Sequence, residues 1–426
     1  MGTESLRMIS RTHDVVASRR PYAVALVGFL VAMVDGYDTL MLAFLAPLIS
    51  KEWALHPQIV GQIFASSYAG AALGATSIGI AADRFGRKTM LVASLAVAGA
   101  FTILCARAAI PAQLMALRAV AGLGLGGALA TITALTAENA PVHRRRATVT
   151  RMFLGFPVGA IAGGALTAAV MSSLGWRGVF LGGGMCALLL VPLVAFGVSE
   201  SASGGSPSGR ATAALHVHSR RPFTELVSEG RLGSTALFCA CVFLMLLTSY
   251  FLVSWIPTVL TLNGMPPGRA AMAAVIVNCG GIVGTLILSF IIGRKSPLKP
   301  LIVCLCAGAI LIALLGPGIV STGNAKFFLI FAVGLGVIGA QGGIPALCVY
   351  LYPESVYATG VGLSVACGRL GSIIGPLVGG YLVSARLGWN RLFLLAALPA
   401  ISAAIAMAAL AAARRRQHGG PIHDVS

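Results

Sequence analysis

Charged side chains are scarce in this chain of 426 residues. Only 10% of the residues are Asp, Glu, Lys or Arg, and only 12 are acidic, whereas a soluble globular protein carries about 25% charged residues. This shortage excludes a soluble globular fold for most of the chain. The hydrophobic residues, 57% of the total, must instead face lipid or other helices within a membrane.

Clusters of metal-binding or nucleophilic residues are also missing from the sequence. The nine cysteines are scattered through apolar runs without CxxC or other metal-ligand spacing, which predicts small buried core residues and no metal site. No nucleotide-binding loop or nucleophile constellation stands out, so an enzyme or a bound cofactor is not expected. The net charge of +18 lies mostly in loops, which indicates membrane topology rather than nucleic-acid binding.

Apolar runs of about 20 residues, the length that a transmembrane helix needs, recur along the whole chain. They predict an all-α membrane protein in which twelve spans form two pseudo-symmetric six-helix bundles. The predicted spans cover residues 22–49, 58–81, 89–106, 111–137, 147–172, 177–198, 232–258, 269–292, 298–318, 325–350, 357–384 and 388–413. The predicted parts are an N-terminal tail (1–21), an N-terminal bundle (22–198), a flexible linker (199–231), a C-terminal bundle (232–413) and a C-terminal tail (414–426).

The distribution of Lys and Arg predicts how the chain is oriented. Most of them fall on one side if the N-terminus is cytoplasmic, so both termini and the linker are predicted to be cytoplasmic. The two halves also repeat each other, because LGWRGVF at residues 174–180 recurs as LGWNRLF at residues 387–393. Such duplication is typical of transporters. Small-xxx-small spacing, as at Gly70 and Gly74, predicts close helix contacts.

A polar segment with two acidic residues, Asp35 and Asp38, interrupts the first apolar span. Each carboxylate costs roughly 2.5–3.5 kcal/mol at the bilayer centre, and residues three positions apart share one helical face. Two nearby carboxylates in a medium of low dielectric constant cannot both be charged at low cost. Asp35 and Asp38 are therefore predicted to carry protons, the alternative being a role only in helix–helix hydrogen bonds.

Two intramembrane arginines, Arg118 and Arg369, are candidates for anion binding. At 1.5 Å per residue, Asp35 lies about 20 Å along the first helix and Arg118 about 10 Å along the oppositely directed fourth helix, at similar heights in a core about 30 Å thick. Arg118 is predicted to neutralise Asp35 or Asp38, or to exchange that partner for a substrate carboxylate. Arg369 has no evident intramembrane acid in its own half, which favours an anionic substrate. For both arginines the alternative is a static structural ion pair.

A charged motif, GIAADRFGRK at residues 79–88, follows the second span. Asp83, Arg84 and Arg87 can pair or separate as neighbouring helices move, and Glu138 at the end of the fourth span is expected to meet Arg84 or Arg87. These four residues are predicted to form a cytoplasmic gate. Simple anchoring by positive charge is the alternative.

This motif resembles the G-x-L-A-D-R-x-G-R-K loop of the major facilitator superfamily. Residues 118–126 (RAVAGLGLG) are similar to its proton-coupling helix signature, and residues 155–164 (GFPVGAIAGG) to its glycine-rich hinge helix. Within the superfamily, the acidic segment of the first span, residues 137–148 and residues 358–372 resemble the aromatic acid:proton symporters. The resemblance implies a monomeric carrier in the bacterial cytoplasmic (inner) membrane that imports carboxylates of the hydroxybenzoate and benzoate class with protons.

Two positions depart from the family pattern. Gly293 stands where the second-half loop often carries Asp, which predicts a weak latch in that half. Arg151 replaces a residue that is usually apolar in aromatic acid symporters. Its place near the end of a helix predicts that the side chain reaches the membrane surface.

An aromatic substrate needs flat apolar walls and hydrogen-bond partners. The candidates, for which plain core packing is the alternative, are Tyr37, Phe44, Tyr68, Phe156, Tyr250 and Trp255, with Ser249, Asn278 and Gln341 as hydrogen-bond partners. Other functions stay open: a carrier of another organic anion, an exporter that works by proton antiport, or a membrane sensor that binds an aromatic acid without moving it. The short tails and linker leave no output domain for a sensor.

Overall fold

A computed structural model describes residues 2–141, 144–198, 232–292, 296–316, 323–352 and 357–417. In these ranges the regular structure is helical, and the thirteen helices are α1 (Gly2–Glu52), α2 (Pro57–Phe85), α3 (Arg87–Cys105), α4 (Pro111–Asn139), α5 (Arg145–Phe153), α6 (Gly155–Gly197), α7 (Leu232–Leu262), α8 (Pro267–Ile292), α9 (Leu298–Leu314), α10 (Gly323–Gln341), α11 (Ile344–Leu351), α12 (Tyr357–Ser384) and α13 (Trp389–Gln417). The predicted linker, Gly293 and most of the predicted C-terminal tail lie outside the described residues.

Eleven segments of the described chain are long and apolar enough to cross a membrane, and Leu298–Leu314 is a shorter apolar helix. Together these twelve segments match the predicted spans in order. The prediction of an all-α, multi-pass chain is therefore confirmed. The orientation of the termini and the domain boundaries stay predictions.

The helices break at points where single continuous spans were predicted. The predicted span 147–172 is interrupted at Leu154, so that α5 ends and α6 begins there. The predicted span 325–350 is interrupted at Gly342 and Gly343, and α11 restarts with proline in its first turn. Two successive glycines weaken a helix, and proline is favoured at a helix start because its missing N–H is not needed there.

The repeated LGW sequence marks the same backbone turn in both halves of the chain. Gly175 has φ 61° and Gly388 has φ 72°, values in the left-handed region that glycine adopts without steric cost. Gly175 kinks α6, and Gly388 precedes the first residue of α13. The two sequence repeats therefore share a glycine with positive φ at the same position.

The chain divides into two compact units. The first comprises Met1–Met41 and Ser66–Ala213, and the second comprises Leu42–Ala65 and Ala214–Ser426. Helices α1 and α2 thus each contribute to both units. In the first unit α3 packs against α4 and α6, and in the second α7 packs against α12 and α13 while α8 packs against α10.

Glycines bring the helices of each unit into backbone contact. A Cβ atom at Gly70 or Gly74 of α2 would lie 1.9 Å from a main-chain oxygen of α4. In the second unit, a Cβ atom at Gly280 of α8 would lie 2.0 Å from the main-chain oxygen of Phe331 in α10. These contacts confirm the close helix packing predicted from the small-residue spacing.

Candidate functional site

Arg118 and Asp38 form a buried ion pair in the first unit. Arg118 Nη1 donates a hydrogen bond of 2.9 Å to Asp38 Oδ1, and Nη2 donates one of 2.5 Å to Oδ2. The two side chains are only 1% and 8% exposed. Of the two acids that the sequence left open as partners, the structure pairs Arg118 with Asp38 in the two-point geometry that guanidinium and carboxylate favour.

Two further helices, α2 and α3, also contact this ion pair. Arg118 Nη2 also donates a hydrogen bond of 2.7 Å to Ser67 Oγ on α2, and Thr102 Oγ1 on α3 lies 3.5 Å from Asp38 Oδ1. The buried Arg118 Nε has no hydrogen-bond partner among the described residues. The Nε–H group of the guanidinium can therefore donate a hydrogen bond to an oxygen of a ligand or of a water molecule.

Phe180 was not singled out as a site residue by the sequence. Its ring lies under the Arg118 guanidinium, with 5.9 Å between Arg118 Cζ and the ring centroid. The Phe180 side chain is fully buried, at a distance typical of a cation–π contact. Its position at the end of the repeated LGW segment was the only signal in the sequence that could have drawn attention to it.

The glycine between the two acids sets how closely α1 approaches α6. A Cβ atom at Gly36 would lie 2.0 Å from the main-chain oxygen of Phe156, so any larger residue would push the two helices apart. Asp35, one turn before Asp38, is half-buried. The backbone contact at Gly36 thus fixes where both carboxylates stand.

Tyr37 is enclosed by α6. Its hydroxyl donates a hydrogen bond of 3.2 Å to the main-chain oxygen of Val179. Cβ atoms at Gly163 and Gly183 would lie 2.1 Å and 2.5 Å from its ring atoms, so the ring fits against two glycines on either side of the kink at Gly175. These contacts are packing contacts, and the predicted role of Tyr37 in substrate binding stays a prediction.

Arg87 joins three helices at one end of the first unit. Its Nη1 lies 2.7 Å from Glu138 Oε1 at the end of α4, and its Nη2 lies 3.2 Å from Asp83 Oδ1 in α2. Glu138 thus pairs with Arg87, whereas the guanidinium of Arg84 lies 5.5 Å from the ring centroid of Phe85. The charged cluster has the connectivity that a latch between helices requires.

Two of the candidate residues of the second unit contact another helix of that unit, and the third contacts its own helix. Trp255 is 1% exposed and donates a hydrogen bond of 3.0 Å from Nε1 to the main-chain oxygen of Pro376. Gln341 Nε2 donates to Ser249 Oγ, and Asn278 Nδ2 donates to the oxygen of Ala274, one turn earlier, at 2.7 Å. Nothing in these contacts tests their predicted roles in substrate binding.

Arg369 differs from Arg118 in its surroundings. It is half-buried in α12 and forms no ion pair with any carboxylate in the described part of the chain. The predicted role of Arg369 in binding an anionic substrate stays a prediction. Arg151 is exposed, in agreement with a side chain that reaches the surface.

The prediction that all cysteines are buried core residues is wrong in part. Cys105, Cys241 and Cys348 are buried, but Cys186 and Cys306 are exposed on their helices. A thiol behaves as a small hydrophobe, so the outer surface of a membrane-spanning helix suits it as well as the core does.

Residues 28–376 match the family model described as Major Facilitator Superfamily. The chain belongs to the major facilitator superfamily. This membership, together with the apolar helices, makes the protein a multi-pass membrane transporter and not an enzyme.

Curated relatives narrow the position of the chain within the superfamily. It is 32% identical to the gallate transporter of Pseudomonas putida, with 93% of each chain covered. It is 30% identical to a 4-hydroxybenzoate transporter of Acinetobacter baylyi, covering 93% of this chain and 92% of the relative. It is 34% identical to the 3-(3-hydroxy-phenyl)propionate transporter of Escherichia coli, covering 88% and 90%. The resemblance to aromatic acid transporters is thereby confirmed.

Solved structures of other major facilitator transporters share the fold. A D-xylose–proton symporter superposes with a TM-score of 0.74 at 18% identity, covering 91% of this chain and 97% of that one. A nucleoside transporter superposes with a TM-score of 0.75 at 14% identity, covering 92% and 99%. At these identities the similarity establishes the fold and no substrate.

Proposed function

We propose that the protein imports aromatic carboxylates of the hydroxybenzoate and benzoate class, together with protons, across the bacterial cytoplasmic (inner) membrane by alternating access. The observation that carries the proposal is the buried two-point ion pair between Arg118 and Asp38. The substrate class is supported by relatives named for gallate, 4-hydroxybenzoate and 3-(3-hydroxy-phenyl)propionate.

The ion pair supplies a physical reason for coupling. A proton on Asp38 removes the negative charge that neutralises the Arg118 guanidinium. Arg118 itself stays charged because an arginine does not lose its proton in proteins. A buried charge without a partner is costly, so the protonated state attracts another anion. A substrate carboxylate can take the donors that Asp38 releases. Binding of the proton and binding of the carboxylate then favour each other.

This mutual dependence favours symport over proton antiport. In an antiporter, the proton and the substrate compete, so that binding of one expels the other. Here the group that competes with a substrate carboxylate is Asp38 itself, and a proton removes that competitor. We therefore expect uptake to increase as the external pH falls.

The remaining candidate residues take supporting roles. Arg369 offers a second cation to an anionic substrate, and Asp35 offers a second proton-carrying carboxylate one turn from Asp38. Tyr37, Trp255, Asn278 and Gln341 are the candidates for contacts with the aromatic ring and its substituents. All of these roles are assigned from position and residue type.

We propose that Asp83, Arg84, Arg87 and Glu138 form the cytoplasmic gate and that both termini lie in the cytoplasm. The proton gradient is the energy source, and no cofactor is required. One charge is worth about 2.3 kcal/mol per 100 mV, and one proton about 1.36 kcal/mol per pH unit, which suffices for accumulation. We expect a monomer, as the family resemblance implies.

Uptake into proteoliposomes tests this proposal. Radiolabelled 4-hydroxybenzoate and benzoate are supplied with and without an inward proton gradient to the wild type, to Asp38→Asn and to Glu52→Gln. Glu52→Gln removes an exposed carboxylate from the same helix and controls for the loss of negative charge. We expect gradient-driven accumulation by the wild type and Glu52→Gln, and its loss in Asp38→Asn.

Other results would select the alternatives. Alkalinisation of the external medium on addition of a different class of acid would indicate a carrier of another organic anion. Outward movement of the substrate, driven by an inward proton gradient, would indicate an antiporter. Binding of an aromatic acid without accumulation in wild-type vesicles would indicate a sensor. Accumulation that persists unchanged in Asp38→Asn would refute the role of the ion pair.

A further inference from the structure

The aromatic pair Trp176 and Phe180 lies beside the Arg118–Asp38 ion pair. The two rings are 5.9 Å apart at an interplanar angle of 86°, an edge-to-face arrangement that aromatic rings favour. Trp176 is covered in turn by the guanidinium of Arg177, 4.2 Å from its ring centroid. Phe180, fully buried, is thus held in one orientation under Arg118.

The backbone on the N-terminal side of Phe180 also constrains the orientation of the Phe180 ring. Trp176 follows Gly175, whose left-handed backbone kinks α6, and the main-chain oxygen of Val179 accepts the Tyr37 hydroxyl. The segment from the kink to Phe180 is therefore tied to α1, the helix that carries Asp38. A ring in this place stabilises the Arg118 cation without using any hydrogen-bond donor of the guanidinium.

The contribution of the ring changes during the proposed cycle. While Asp38 is ionised, its two oxygens neutralise Arg118 and the ring adds little. Once Asp38 binds a proton, Arg118 remains a buried cation with Ser67 and the Phe180 ring as its neighbours. Cation–π attraction is strongest where water is excluded, as it is here.

We propose that Phe180 is a positioning residue for proton coupling, whose ring stabilises the unpaired Arg118 cation while Asp38 is protonated and before a carboxylate arrives. This inference rests on the proposed function. Among the described residues, the other titratable or charged groups close to the pair or to the aromatic rings beside it are Asp35 and Tyr37 on α1, Tyr68 on α2, Cys105 on α3 and Arg177 on α6.

A series of fluorinated phenylalanines at position 180 isolates the electrostatic part of the contact. Added fluorines weaken the negative face of the ring with little change of shape. We expect the pH of half-maximal uptake to move stepwise to lower values from one to three fluorines. With a weaker ring the unpaired cation is less stable, so Asp38 holds its ionised form to lower pH. Maximal velocity at saturating acidity should change less than twofold.

Phe238 is the matched control. It is also fully buried and meets an aromatic neighbour, Tyr352, at 5.9 Å and 74°, but no cation lies over its ring in the described structure. The same fluorinated series at Phe238 should leave the pH of half-maximal uptake in place. An unchanged pH profile in the Phe180 series, with or without altered maximal velocity, would overturn the proposal.

Thermal unfolding in detergent tests the contact without any substrate. Phe180→Leu is measured in the wild type and in Asp38→Asn, where Arg118 is permanently unpaired, and Phe238→Leu is measured in the same two backgrounds. We expect Phe180→Leu to lower Tm more in Asp38→Asn than in the wild type, and Phe238→Leu to lower it equally in both. Equal shifts for Phe180→Leu would refute the proposal even if aromatic acid uptake is confirmed. A larger shift in Asp38→Asn would support it even if uptake fails.

Discussion

Trp255 in α7 donates its indole hydrogen bond to the main-chain oxygen of Pro376 in α12, 3.0 Å away. The same oxygen lies close to α2, because a Cβ atom at Gly61 would be 2.7 Å from it. The Trp255 ring also meets Phe64 of α2, with centroids 6.3 Å apart. Trp255 therefore holds together three helices of the second unit, whatever contact it makes with a substrate.

Substitutions of Trp255 should separate the hydrogen bond from the ring. Trp255→Phe keeps most of the packing and removes the hydrogen bond, which should cost about 1 kcal/mol of unfolding free energy. Trp255→Ala also empties a buried volume and should cost about 3–5 kcal/mol. Denaturant unfolding in detergent measures both. Equal losses for the two variants would contradict this division.

The ion pair in the first unit predicts that two substitutions are better tolerated together than one alone. Asp38→Asn leaves Arg118 buried without a counter-charge and should cost about 3–5 kcal/mol. Arg118→Met combined with Asp38→Leu removes both charges, so stability should recover while uptake stays lost. Thermal unfolding and uptake assays on the single and double variants check this. A double variant less stable than Asp38→Asn would show that the pair itself holds the fold.

The close contact at Gly36, between Asp35 and Asp38, predicts that one added methyl group strongly affects stability and uptake. Gly36→Ala places a Cβ atom 2.0 Å from the oxygen of Phe156, so α1 must move away from α6 and carry Asp35 and Asp38 with it. We expect lower stability and a loss of uptake. Gly182→Ala in α6 meets no atom within 4 Å and should be neutral or stabilising by up to about 1 kcal/mol. Similar behaviour of the two variants in unfolding and uptake assays would contradict the contact.

The sequence predicted those features that depend on hydropathy and on rise per residue. Counting residues along α1 and α4 placed Asp35 and Arg118 at similar depths and left both acids open as partners of Arg118. The structure pairs Arg118 with Asp38, because the direction of a side chain depends on the rotation of its helix, which depth does not reveal. Phe180 escaped notice because a phenylalanine in an apolar helix is usually core. The breaks at Leu154 and Gly342 were missed because an apolar run stays apolar across a break in the helix.

The contacts of Arg87 with Glu138 and Asp83 predict an effect on transport rate without an effect on stability. The side chain of Arg87 is 25% exposed and those of Glu138 and Asp83 are 34% and 69% exposed, and such solvated ion pairs contribute only about 0–1 kcal/mol. Arg87→Gln should therefore leave Tm nearly unchanged. If the cluster gates the transporter, the same variant should slow uptake several-fold. High salt should also slow uptake by the wild type, because it screens exposed charges.

Lys88→Gln is the control, because it removes an equal charge from the next position, for which the described structure shows no ion pair. It should change neither Tm nor the uptake rate. A large drop in Tm for Arg87→Gln with normal uptake per folded molecule would identify the cluster as a structural anchor instead of a gate.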